Sequence, residues 1–154
     1  MMPRAFRKIL QNFTTKPKFS IVEFVNKSPH LFVFSIMAPK TQTYLFVCMA
    51  NMQRSPTAED VARGLAKANG LPVKTKSAGV SPLAEQPINK KLAREADLIF
   101  VMEEYMKTFI IQSYGIEPGR IINLGIPDIY ERDEPQLVKI LTESIKPFLK
   151  NKPD

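Results

Sequence analysis

The stretch Tyr44-Leu45-Phe46-Val47-Cys48-Met49-Ala50-Asn51-Met52-Gln53-Arg54-Ser55-Pro56-Thr57-Ala58-Glu59 decides the fold. Its first four residues form a continuous apolar run, the pattern of a strand buried on both faces of a parallel sheet. A helical pattern follows at once, with Ala58, Val61, Ala62, Leu65 and Ala66 at helical spacing and Gly70 as a stop. Pro56 suits the first helical position, where no N–H is needed, Ser55 suits the N-cap, and Glu59 with Asp60 suits the first turn. The same alternation continues downstream. Val73 to Ser77 reads as a second strand, Asn89 to Ala96 as a short helix and Leu98 to Met102 as a third strand. Glu104 to Tyr114 is helical and ends at Gly115, and Arg120 to Leu124 is a fourth strand. A last helix starts near Glu134, with Leu137, Ile140, Leu141, Ile145, Phe148 and Leu149 on one stripe. Strands alternating with helices predict an α/β fold, a single doubly wound domain of about four parallel strands with helices on both faces.

Ligands of an open parallel sheet bind at the carboxyl ends of its strands, beside helix N-termini. The loop from Cys48 to Ser55 lies at such an end. Successive backbone N–H groups of a tight loop, here those of Met49, Ala50, Asn51, Met52, Gln53 and Arg54, form a nest for an anion. The helix terminus adds partial positive charge, which suits phosphate. Arg54 offers a planar fork that grips two phosphate oxygens at once. Cys48, over the same nest, is placed to react as a thiolate, and a thiolate beside bound phosphate attacks phosphorus. The competing reading, a lone cysteine packed in a core, calls for none of these neighbours.

The totals agree with one domain. The chain has 154 residues, of which 44% are apolar and 24% charged, enough for a globular core. A single cysteine excludes an intrachain disulfide and fits a reducing compartment, so a cytoplasmic location is expected. The one histidine, His30, lies far upstream of the loop, which speaks against a zinc site and against a Cys/His or Ser/His hydrolase. No metal and no cofactor is expected. The net charge of +7 is unevenly spread: residues 1–40 hold seven Lys or Arg against Glu23 alone, whereas residues 41–154 hold fifteen basic and fourteen acidic side chains. With that near-neutral balance, no nucleic-acid partner is expected. The domain reading is a basic extension over residues 1–40 followed by a catalytic domain over 41–154. Phe6, Ile9, Leu10 and Phe13 against Arg4, Arg7 and Lys8 outline a short amphipathic helix of the kind found in targeting or membrane-surface segments. A disordered extension, or a true start at Met37, is the plainer reading. The run Leu31 to Ala38 is too short to span a bilayer.

These residues resemble the low-molecular-weight protein tyrosine phosphatase family, and more closely its shorter bacterial group. The family loop Cys-x5-Arg-Ser-Pro is present as Cys48 to Pro56, and the resemblance extends to Ser77-Ala78-Gly79, to Ala96 through Met102, and to Ile126-Pro127-Asp128-Ile129-Tyr130. It implies a phosphomonoesterase that works through a cysteinyl-phosphate, with Cys48 as nucleophile and Arg54 as phosphate clamp. By the same resemblance Ser55 would donate to the thiolate and help it leave, and Asn51 would take a left-handed conformation, which Asn tolerates. Asp128 would be the general acid and then the base that activates water. Tyr130 would line the mouth of the pocket against an aryl phosphate or, equally, be an amphipathic surface aromatic, while Met49 and Met52 either shape the pocket wall or merely pack. The implied partner is a phosphorylated protein or a small aryl phosphate, with phosphotyrosine and phosphoarginine both open.

Three positions depart from the family pattern. Ala50 stands where Gly is usual, Gln53 where many members have a second cysteine, and Ile129 where Pro follows the acid. The last leaves Asp133 as a rival to Asp128, although Asp133-Glu134-Pro135 reads as a helix start. Lys90, Lys91 and Arg94 read as a solvated helix face and Asp97 as a residue that ends a helix or pairs locally. Two other functions compete: a phosphopeptide-binding module that has lost its chemistry, and arsenate reduction, for which Cys48 alone would need an external thiol. Gln53 also has a chemical consequence, since Cys48 has no neighbouring thiol to trap a sulfenic acid. Peroxide is expected to carry Cys48 past the sulfenic stage, so dithiothreitol added after oxidation should fail to restore full activity.

Overall fold

The computed structural model describes residues 40–150, and the readings made for the extension, including its amphipathic helix, His30 and Met37, lie outside the described residues. Among the described residues four strands form one sheet: β1 (Gln42–Cys48), β2 (Val73–Gly79), β3 (Leu98–Val101) and β4 (Ile121–Asn123). All pairings are parallel, and the order across the sheet is β2-β1-β3-β4. The helices are α1 (Arg54–Ala68), α2 (Lys90–Glu95), α3 (Glu104–Tyr114) and α4 (Pro135–Ile145). The chain steps from β1 outward to β2, then back across β1 to β3 and on to β4. Right-handed crossovers therefore place α1 on one face and α2 with α3 on the other. Side-by-side contact of α1 with α4, and of α2 with α3, fits this doubly wound arrangement. The predicted fold class holds.

The apolar run is as buried as its pattern requires, with Leu45, Phe46 and Val47 fully inaccessible between the two helical layers. Phe46 stacks on Phe100 of β3 with ring centroids 4.9 Å apart, and Phe148 meets Phe100 edge-on at 5.1 Å. Ala58, Ala62 and Ala66 give α1 a narrow buried stripe, so its backbone lies close on the sheet. Asn89 caps α2 by accepting from the Leu92 N–H at 2.9 Å, and Gly115 ends α3 in the left-handed conformation at φ 65°. Among the described residues no helix is long and apolar enough to cross a membrane.

Several local readings change. Helix α1 begins at Arg54, two residues before Pro56, with Gln53 at its N-cap and no side-chain cap bond. Ser55 is thus inside the helix and its hydroxyl is used elsewhere, while Glu59 and Asp60 fall beyond the first turn. Pro56 remains acceptable because the first turn has no intrahelical partners for its N–H groups. Asp97 pairs with a distant strand instead of locally: its carboxylate accepts the Thr43 N–H at 2.8 Å, and its own N–H donates to the Thr43 carbonyl at 2.8 Å. The last helix stops at Ile145 and tightens into a 3-10 turn over Lys146–Phe148, where Pro147 has no N–H to continue the α pattern.

The end of β2 is the tightest point of the domain. A Cβ on Gly79 would sit 2.5 Å from the Met49 carbonyl oxygen, 2.5 Å from Ala84 Cβ and 3.0 Å from the Asn51 nitrogen. Two of these atoms are backbone and cannot swing aside. Gly79→Ala is expected to lower stability by about 1–3 kcal/mol, the usual cost of overpacking, read as a fall in the urea midpoint.

Candidate active site

The order β2-β1-β3-β4 puts the reversal of winding between β1 and β3, the place where an open α/β sheet leaves a crevice at its carboxyl edge. Cys48 ends β1 there, and the chain turns through residues 49–53 into α1. The conformation of that turn is imposed from the segment that follows β2. The Val80, Ser81 and Glu85 N–H groups donate to the carbonyls of Cys48, Met49 and Ala50 at 2.9, 3.0 and 3.1 Å. A trans peptide points its C=O and the following N–H in opposite directions. With three carbonyls drawn outward, the N–H groups of Met49, Ala50 and Asn51 are turned the other way. The last of these donates to Cys48 Sγ at 3.2 Å. Asn51 has φ 55°, a left-handed conformation uncommon outside Gly.

The sulfur has a second polar neighbour. Ser55 Oγ is 3.0 Å from Cys48 Sγ and also 3.3 Å from the Ala78 carbonyl. The Asn51 side-chain amide donates to Ser55 Oγ at 2.9 Å, and the one Ser55 proton has two acceptors in reach, Cys48 Sγ and the Ala78 carbonyl. Cys48 is only 3% exposed, yet it lines the floor of a cavity of about 120 Å³. The other lining residues are Met49, Ala50, Met52, Gln53, Arg54 and Asp128.

Arg54 is a cation at 2% exposure, so it requires partners. Its Nη1 donates to Glu103 at 2.6 Å and to the Ile126 carbonyl at 2.7 Å, and its Nε lies 3.3 Å from Asp128 Oδ1. Nη2 makes no contact of this kind with the described residues, and the Arg54 side chain borders the cavity. Loops following β1, β3 and β4 thus meet on one guanidinium.

Of the residues singled out from sequence, Cys48, Met49 to Gln53, Arg54, Ser55 and Asp128 are brought together at this edge. Tyr130 is half-buried against the core and is absent from the cavity lining. Asp133 is 3.6 Å from Arg132 and is absent from the cavity lining. Glu103 was missed, although the acidic pair Glu103-Glu104 directly after the third strand was a signal at a strand end. Tyr105 was missed as well. Burial pushes its phenol above the ordinary value, Glu103 adds to the rise and Arg54 opposes it, with Asp128 and Cys48 also felt. Among the described residues no group of three or more His, Cys, Asp or Glu could hold a metal ion.

Comparison with known proteins finds similarity over the described residues. The family model "Low molecular weight phosphotyrosine protein phosphatase" matches residues 43–93, a span that holds the loop and stops short of Asp128. The protein-arginine-phosphatase of Bacillus subtilis (strain 168) is 25% identical over 146 residues, covering 70% of this chain and 97% of the relative. The low molecular weight protein-tyrosine-phosphatase Ptp of Acinetobacter johnsonii is 29% identical over 119 residues, covering 58% of this chain and 81% of the relative. Among solved structures, the tyrosine phosphatase Wzb from Escherichia coli K30 in complex with sulphate superposes with a TM-score of 0.58 at 22% identity, covering 71% of this chain and 97% of that one. The resemblance read from the loop is therefore to the low-molecular-weight protein tyrosine phosphatases, a cysteine-based family of phosphoric monoester hydrolases.

The Arg54–Glu103 contact has a measurable weight. Glu103 is about one-third exposed, so solvent screens part of the pair, and Glu103→Ala is expected to destabilise by about 1–3 kcal/mol in urea unfolding. Glu103→Gln, which keeps an acceptor for Nη1, should cost less.

Proposed function

We propose that this chain is a cysteine-dependent phosphomonoesterase acting on phosphotyrosine or a related aryl phosphate of a protein. The observation that supports this most is the pair of contacts at the sulfur: Ser55 Oγ at 3.0 Å and the Asn51 N–H at 3.2 Å, at the floor of a cavity bordered by a buried arginine. In this reading the phosphate oxygens lie on the inward N–H groups of the loop and on the Nη2 and Nε edge of Arg54. Cys48 Sγ attacks phosphorus, the S–P bond forms and the ester P–O bond breaks. Asp128 passes its proton to the departing oxygen. Asp128, now a carboxylate, takes a proton from a water that attacks phosphorus. The S–P bond then breaks, and the returning thiolate is received by the Ser55 O–H and the Asn51 N–H.

Asp128 is preferred to Asp133 because it lines the cavity at 58% side-chain exposure, whereas Asp133 faces Arg132. An incoming phosphate competes with Asp128 for Arg54 Nε, which releases the carboxyl to serve the leaving oxygen. An aryl group suits the half-exposed Met49 and Met52 that line the cavity, and the released Asp128 carboxyl would be an acceptor for a guanidino leaving group, so phosphotyrosine and phosphoarginine both remain open. Residues 41–154 would form the catalytic domain, with residues 1–40 as an extension, in the cytoplasm and with no nucleic-acid partner.

Turnover of p-nitrophenyl phosphate in the presence of a chelator, inhibition by vanadate, and complete loss in Cys48→Ser are the expected results. Asp128→Ala should slow turnover by about 10²-fold or more, the scale of a lost general acid. Acid quenching during turnover of a labelled aryl phosphate should leave the label on Cys48. Protein that binds phosphopeptide without turnover would instead identify a binding module.

A further inference from the structure

Thr57 lies one turn into α1 at 1% exposure, outside the residues that line the cavity, and its hydroxyl is used twice. Oγ1 donates to the Gln53 carbonyl at 2.7 Å and accepts the Asp133 N–H at 3.0 Å. One hydroxyl therefore joins the end of the phosphate-binding loop to the segment that follows Asp128. We propose that Thr57 is a positioning residue that holds the Ile126–Asp133 segment in place, so that the Asp128 carboxyl stands over the cavity. The proposal rests on the reading of Asp128 as the general acid.

The segment has two fixed ends. At its start, the Ile126 N–H donates to Met102 at 2.9 Å and the Ile126 carbonyl accepts from Arg54 at 2.7 Å. At its end, Asp133 has φ 59°, a left-handed conformation that a non-glycine residue keeps only where its surroundings hold it. The Thr57 bond is a part-buried contact at that end. The other links are exposed and weak: Gln53 Nε2 donates to Glu131 at 3.0 Å, and Arg132 stands 3.8 Å from Asp60. Asp128 lies between the two ends, and its own tie to the body of the domain is the 3.3 Å approach to Arg54 Nε, with Tyr130 packed on the core two residues later. Once phosphate takes that nitrogen, the anchors on either side of Asp128 decide where the carboxyl sits. A valine at position 57 keeps the shape and removes both hydrogen bonds; a serine keeps both.

The test measures Thr57→Val and Thr57→Ser in the full chain, by amide exchange and by kinetics on aryl phosphates with good and poor leaving groups. In Thr57→Val the Asp133 amide should exchange about tenfold faster, as the loss of one hydrogen bond implies. Because an acid matters most for a poor leaving group, turnover of phenyl phosphate should fall about tenfold and that of p-nitrophenyl phosphate much less. Vanadate inhibition should stay within about twofold of the parent, since the nest is unchanged. Thr57→Ser should restore all three. An unchanged Asp133 exchange rate overturns the proposal. So does an equal loss on both substrates with weaker vanadate inhibition, which would mean that Thr57 supports the loop alone. If the parent protein turns over no aryl phosphate, the functional reading fails by that result, and the Asp133 exchange rate still decides whether Thr57 holds the segment.

Discussion

Three hydrogen bonds from residues 80–85 to the carbonyls of Cys48, Met49 and Ala50 shape everything that happens at the carboxyl edge of the sheet. A short loop between a strand and a helix has many accessible conformations, and most would leave its amides pointing to solvent. Drawing three successive carbonyls outward leaves the planar peptides no choice about where their N–H groups point. The cost of that arrangement falls on β2, which must bring its backbone against the loop. Glycine at position 79 avoids the overlap that a Cβ there would make, 2.5 Å from the Met49 oxygen. Parallel pairing of Cys48 with Gly79 puts the two segments side by side, so register and site geometry are one constraint.

The second constraint is charge. A guanidinium at 2% exposure holds its place through Glu103 after β3, the Ile126 carbonyl after β4 and the Asp128 carboxylate. Of the two carboxyl contacts to Arg54, that of Glu103 at 2.6 Å is shorter than that of Asp128 at 3.3 Å. The fold supplies the convergence: the strands whose loops meet at Arg54 are β1 and its neighbours on the β3 side, where the winding reverses.

The strands and helices were legible because each carries a strong local pattern. Leu45 to Val47 could only be a doubly buried strand, and α3 was bounded by Gly115, which lies in the left-handed conformation that Gly favours. Errors cluster where a side chain answers to a distant partner. Ser55 has the chemistry of an N-cap, yet its hydroxyl faces Cys48 Sγ and the Ala78 carbonyl instead. Asp97 has the look of a local helix terminator, yet it binds Thr43, 54 residues away, because β1 and β3 are neighbours. Tyr130, read either as a residue of the pocket mouth or as a surface aromatic, is half-buried against the core.

From residues alone came the α/β winding, the position of the loop at a strand end, and the pairing of a thiol with an arginine six residues later. Those features are local or periodic, and backbone sterics with hydrophobic spacing are enough to specify them. Tertiary structure decided which carboxylates meet Arg54, which backbone turns the loop amides inward, and that the Thr57 hydroxyl bridges α1 to the segment after Asp128. Each of these joins groups roughly thirty to eighty positions apart, and contacts at that range depend on strand order and register, which no local pattern encodes.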